Sequence, residues 1–158
     1  KKQNIMKTST ILPVSFIGKG YKPDFSQLSR IQLNGKTDFS NAEAKVLECA
    51  NYLTSTPMDK ENLNREYAEN FLLIWMSGTS DFTFNLNETV CSIIRSNLSL
   101  IGVYFACATK FALENRDKAR NKNTIIKNAL LLLLNYCKNP KNKVDQNDLL
   151  KAVMNEEN

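Results

Sequence analysis

The chain has 158 residues, of which 42% are hydrophobic and 23% charged, with a net charge of +5 and no histidine. That length suits one domain, the composition excludes global disorder, and five glycines and four prolines favour long helices over a turn-rich β architecture. Without histidine the usual base of a nucleophilic triad is missing.

The chain does not begin with methionine, so Lys1 is read as other than the native start, with room for a signal peptide before it. The apolar run Ile11–Ile17 is not itself a signal: it is short, contains Pro13 and lacks a small-x-small cleavage site. Thr10–Ile17 has β-type composition, and Gly18, Gly20 and Pro23 interrupt any helix. A short helix is predicted over Asp24–Leu33, followed by a turn at Asn34-Gly35. Residues 1–38 therefore read as a largely non-helical arm packed on the body or on a neighbour, and residues 39–158 as a helical domain.

Ser40 with Glu43 forms a capping-box pattern opening the first helix, with Val46, Ala50 and Leu53 on one face. Thr56-Pro57 or Asp59 opens the second, where Leu63, Tyr67, Phe71, Ile74 and Trp75 recur at the helical period and Gly78 is placed as the C-cap. A polar loop carrying Phe82 and Phe84 follows. Asn85 with Glu88 opens a short third helix around Val90, Ile93 and Ile94, which breaks near Ser96-Asn97. The fourth, Leu98–Asn115, is apolar on most sides and belongs in the middle of a bundle. The fifth, Asn123–Cys137, is similar, with Lys127, Asn128, Asn135 and Lys138 on its polar face and Leu131 between them. Asn139-Pro140 ends it, and Asp145 is the expected cap of a sixth with Leu149, Leu150 and Val153 inward. The fold predicted is all-α: an irregular bundle, or a short right-handed stack of about three helix pairs.

No apolar run reaches the ~20 residues of a membrane-spanning helix. Cys49, Cys91, Cys107 and Cys137 form no C-x-x-C pair, and buried free thiols are favoured over disulfides. Asp145, Asn147 and Glu156 match three positions of an EF-hand loop, but Leu149 and Leu150 stand where a ligand and a glycine are required. Gly18-Lys19-Gly20 is too short for a phosphate loop. No cofactor or metal is therefore expected. Without histidine only Lys, Asp or Glu could serve as a base; a carboxylate pair could do acid–base work, with Asp81, Glu88 and Glu114 as the candidates for a concave pocket.

Two regions are site-like. Trp75, Phe82 and Phe84 around Asp81 offer aromatics beside polar groups, suited to a ligand or partner, although packing onto the core is the commoner use of such residues; Leu131 joins them as a candidate contact. The basic stretch 110–143, above all Arg116, Lys118, Arg120 and Lys122, is a candidate anion-binding surface for a polyanion or lipid headgroups, set against a solvated pair of loops.

Asn51-Tyr52-Leu53 with Thr56-Pro57, Trp75–Thr79, Lys110–Asn115 and Tyr136–Pro140 together resemble a set of uncharacterised helical proteins of Bacteroidetes that are typically predicted to be exported. The resemblance covers about residues 40 to 158 and rests mostly on core and cap positions. It implies a helical fold and a periplasmic or envelope location, and no activity. The reading that follows is an exported, non-enzymatic domain that binds a protein or an envelope component. The alternatives are a binder of anionic polymer or lipid through 110–143, and a histidine-free enzyme using Asp or Glu.

Overall fold

The computed structural model describes residues 22–156. The readings made for Ile11–Ile17 and Gly18-Lys19-Gly20 lie outside the described residues, as does most of the expected arm. Among the described residues the chain is all-α, with six helices and no strand: α1 (Lys36–Ser55), α2 (Leu63–Gly78), α3 (Glu88–Ser96), α4 (Leu100–Glu114), α5 (Lys122–Lys138) and α6 (Asp148–Glu156).

α4 is the wall shared by two cores. On one side α1, α2 and the segment before α1 bury Phe25, Val46, Cys49, Leu53, Leu72 and Trp75. On the other, α3, α5 and α6 bury Ile93, Leu100, Tyr104, Ile125, Leu133 and Leu150. This double duty explains why α4 is apolar on most sides: its buried positions run from Leu100 through Ala106, Cys107, Ala108 and Thr109 to Ala112. α1 packs against both α2 and α4, and α4 against α5, while α3 and α6 touch each other. The arrangement is an irregular bundle of packed helix pairs rather than three successive pairs.

Helix starts follow local hydrogen bonds that differ from the sequence expectation. α1 begins at Lys36, not Ser40. The Asp38 carboxylate accepts from the N–H groups of Asn34 (3.0 Å) and Gly35 (3.2 Å), so the Asn34-Gly35 turn is itself the start signal. Glu43 is left free to reach another loop. α2 starts at Leu63 because the Asn62 side chain accepts from the N–H groups of Asn64 and Arg65. Asn87 rather than Asn85 caps α3, and Asn147 rather than Asp145 accepts from Leu150 at the start of α6. α4 begins two residues after Leu98, which is left 71% exposed. Leu149 faces outward at 40% exposure, and Met154 takes an inward place instead.

Within Asp24–Leu33 only a 3-10 turn forms, Leu28–Arg30. The Asp24 carboxylate accepts from the Ser26 N–H, and Asn64 grips the backbone from both sides: its Nδ2 donates to the Pro23 carbonyl (2.6 Å) and its Oδ1 accepts from the Phe25 N–H. These bonds compete with helix formation. They seat Phe25, 1% exposed, edge-on to Tyr52. The described part of the expected arm is thus packed on the body.

The C-terminal end of α1 is closed by Arg65, a buried side chain of α2. Its Nη1 donates to the carbonyls of Leu53 (3.2 Å) and Thr56 (3.1 Å) and to Thr56 Oγ1 (2.6 Å). The Tyr136 hydroxyl of α5 donates to the same Thr56 carbonyl at 2.7 Å. One loop carbonyl therefore joins three helices, the bond from the charged Arg65 worth about 1.5–3 kcal/mol net and that from the neutral Tyr136 hydroxyl about 0.5–1.5 kcal/mol. All four cysteines are free thiols. Cys49, Cys107 and Cys137 are buried, and desolvation pushes each up to about 12.

Candidate functional site

The aromatic loop is folded onto the interior by two partly buried rings, Phe82 and Phe84, while Ser80, Asp81 and Thr83 between and beside them are exposed. Trp75 is fully buried, its Nε1 donating to the Phe39 carbonyl at 2.8 Å. Phe82 and Phe84 lie with their ring centroids 6.2 Å from Trp75 and 6.1 Å from each other, and both pack against the two cores. Rings in this arrangement hold a loop down rather than present it. Asp81 is tied to Arg116, and Leu131 on α5 is half-buried.

Arg116 is exposed, but its guanidinium is already engaged by acids of this chain. Its guanidinium pairs with both Glu43 oxygens (2.7 and 3.2 Å), reaches Asp81 (3.3 Å) and lies over the Phe82 ring at 5.0 Å. It braces α1, the 79–84 loop and the end of α4 together, by fork geometry and ring stacking that a lysine could not reproduce. Arg120 pairs with Asp117, while Lys118 and Lys122 are exposed. The basic loops 116–122 and 138–143 lie at opposite ends of the 17-residue α5, so they are about 25 Å apart along its axis and form no single face.

The carboxylates named for catalysis are each in ion pairs: Asp81 with Arg116, Glu88 with Arg95, and Glu114 with Lys110. Their surroundings do not bring them together in one pocket. The acid that burial alters is Glu69, which was not singled out. Desolvation holds it above its ordinary value of 4.5, opposed in part by the Arg65 guanidinium. Gly102 allows this placement, since a Cβ there would stand 2.2 Å from the Glu69 carboxyl carbon. A glycine inside a continuously apolar helix was the available signal of a close approach.

Glu69 helps line a cleft of about 280 Å³ between α2 and the turn leading into α4, with Met58, Asp59, Glu66, Asn70 and Leu98 around it. Beside this cleft runs the outward face of α2. Leu63 is 59% exposed, Ile74 58%, and Tyr67 lies between them. At 100° per residue these three fall within about 40° of arc, forming one apolar ridge. The helical period predicted them as core; the inward face is instead Arg65, Ala68, Phe71, Leu72 and Trp75. A second cleft, also about 280 Å³, lies among Thr54, Cys107, Lys110, Tyr136 and Asn142. Lys110 beside it donates to Asn51 (2.5 Å) and Glu114 (2.6 Å), so its charge is already engaged.

No group of acids and cysteines suited to hold a metal ion occurs among the described residues. None of their helices is long and apolar enough to cross a membrane. No family model matches the chain, no curated protein matches its sequence, and no solved structure matches it.

Proposed function

We propose that the chain is a non-catalytic, exported helical domain that binds a protein or a cell-envelope component through the outward face of α2. The observation that carries this is the ridge of Leu63, Tyr67 and Ile74, which α2 turns to water while the rest of its apolar residues fill the core. Single exposed apolar side chains are ordinary. Three aligned on one helix, beside a cleft with an apolar rim at Met58 and Leu98, form a surface that association would cover. The export and envelope location rests on the resemblance of residues 40–158.

The test is site-specific photo-crosslinking. A benzophenone side chain placed at Tyr67 should give a discrete adduct in an envelope extract, lost when Ile74→Glu is added. The same group at Lys127, on the polar face of α5, should give none. No adduct at 67, or the same adducts from both positions, overturns the assignment of this face.

A further inference from the structure

The chain's excess positive charge has one address. Residues 1–22 contain Lys1, Lys2, Lys7, Lys19 and Lys22 and no acid, while all sixteen Asp and Glu lie beyond them, matched one for one by Lys and Arg. The helical body is electrically balanced, yet its α2 side is not. Asp59, Glu61 and Glu66 are exposed along the loop before α2 and its first turn, against an exposed Lys60, while Glu69 is turned onto Gly102 of α4. The Arg65 guanidinium is turned inward onto the carbonyls of α1.

The described chain starts at this same place. The Pro23 carbonyl is held by Asn64, the residue after Leu63. On the helical wheel Asn64 stands on one flank of the Leu63–Tyr67–Ile74 ridge and Glu66 on the other, each about 80° from its centre. The ridge therefore lies between the Pro23 anchor and Glu66, within direct reach of a chain leaving Pro23 toward that acid. From Leu63 to Ile74 the ridge is about 16 Å long at 1.5 Å per residue. Residues 1–21 have ample reach, since a chain spans up to about 3.3 Å per residue. They include the apolar run Ile11–Ile17, which suits the ridge, with lysines on either side of it, which suit the acids.

We propose that the occupant of the α2 face is the chain's own N-terminal segment, residues 1–21, which docks in cis with Ile11–Ile17 over Leu63, Tyr67 and Ile74. Charge complementarity and apolar burial act together, the first setting orientation and the second supplying most of the affinity. This rests on the reading of the α2 face as the binding surface and adds its regulation: a partner must displace a resident segment, and its apparent affinity is lowered by the fraction of chains in which the face is covered.

Paramagnetic relaxation enhancement on the full chain tests it. A nitroxide is attached at Ser15→Cys in a Cys91→Ser background, where the remaining thiols are buried. The signals of Leu63, Tyr67 and Ile74 should be lost selectively, equally at low and high protein concentration, and recover in Ile74→Glu, an exposed position whose change leaves the core intact. Equal effects on α2 and on Lys127 of α5 would overturn the proposal. A loss that grows with concentration would assign the face to a second copy and overturn docking in cis. The readout needs no external partner, so its failure is distinct from failure of the crosslinking experiment.

Discussion

Glu69 and Gly102 make a pair in which the smaller residue sets the chemistry of the larger. Because Gly102 has no side chain, the Glu69 carboxyl lies against the backbone of α4, and burial raises it above the ordinary 4.5. The consequence for stability has the opposite sign to that of a salt-bridged acid. Above the folded-state value the charge is held in a poorly solvated place and costs stability. As pH falls through that value the native carboxyl takes up a proton and the cost is relieved. Glu69→Gln is therefore expected to raise the melting temperature at pH 7, and the difference from the wild type should shrink as pH falls toward 4.5. Melting curves of both proteins across that range check it; a difference that grows on acidification would contradict the assignment.

At the level of elements, Gly78 shows what a sequence pattern can and cannot reveal. Its place after the last apolar residue of α2 marks a helix end, and α2 does end there. The expected reason was a left-handed C-cap, but Gly78 is the last helical residue and its φ is not in the left-handed region. The cause is contact: a Cβ would stand 2.1 Å from Phe39 Cζ. Gly78→Ala should destabilise by about 1–3 kcal/mol, as overpacking does, and a double-mutant cycle with Phe39→Ala should show strong non-additivity, measured by urea unfolding. The helices themselves were legible because their apolar residues recur at 3.6, and Ile93, Leu53 and Leu133 are buried as that period requires. Which face of α2 turns inward was not, because Leu63, Tyr67 and Ile74 form a stripe as regular as the true core stripe. Tertiary packing decides between them: α2 lies mainly against α1, with Trp75 and Arg65 bonded to its backbone, and more lightly against α4. The caps missed at Asn62, Asn87 and Asn147 have a common reason: asparagine-rich connectors offer several capping side chains, and tertiary contacts select one.

For the molecule as a whole, two cores divided by α4 bury three of the four cysteines, and desolvation keeps their thiols protonated near neutral pH. Only the thiolate reacts with disulfide reagents. The native protein at pH 8 should therefore titrate with Ellman's reagent at Cys91 alone, and at all four sites in denaturant. The slow release from Cys49, Cys107 and Cys137 should follow the rate of global opening measured by tryptophan fluorescence, since Trp75 sits in the same interior. Rapid reaction of three or four thiols in the native protein would mean that the interior opens far more freely than this packing allows. The site was less legible than the fold. Trp75, Phe82 and Phe84 stand out in a sequence, yet their large apolar area packs on the cores, Trp75 fully and the two phenylalanines in part, whereas the outward ridge consists of residues that any core could have used.

The closure of α1 by Arg65 has one more implication. The hydroxyls of Thr54 and Thr56 serve the carbonyls of Ala50 and Tyr52 locally, but those of Leu53 and Thr56 take their side-chain donor from Arg65, so the end of α1 is completed only when α2 is in place. The chain from Lys36 to Gly78 is then expected to gain and lose its order as a single cooperative hairpin, with Tyr136 signing on from α5 only once that hairpin exists.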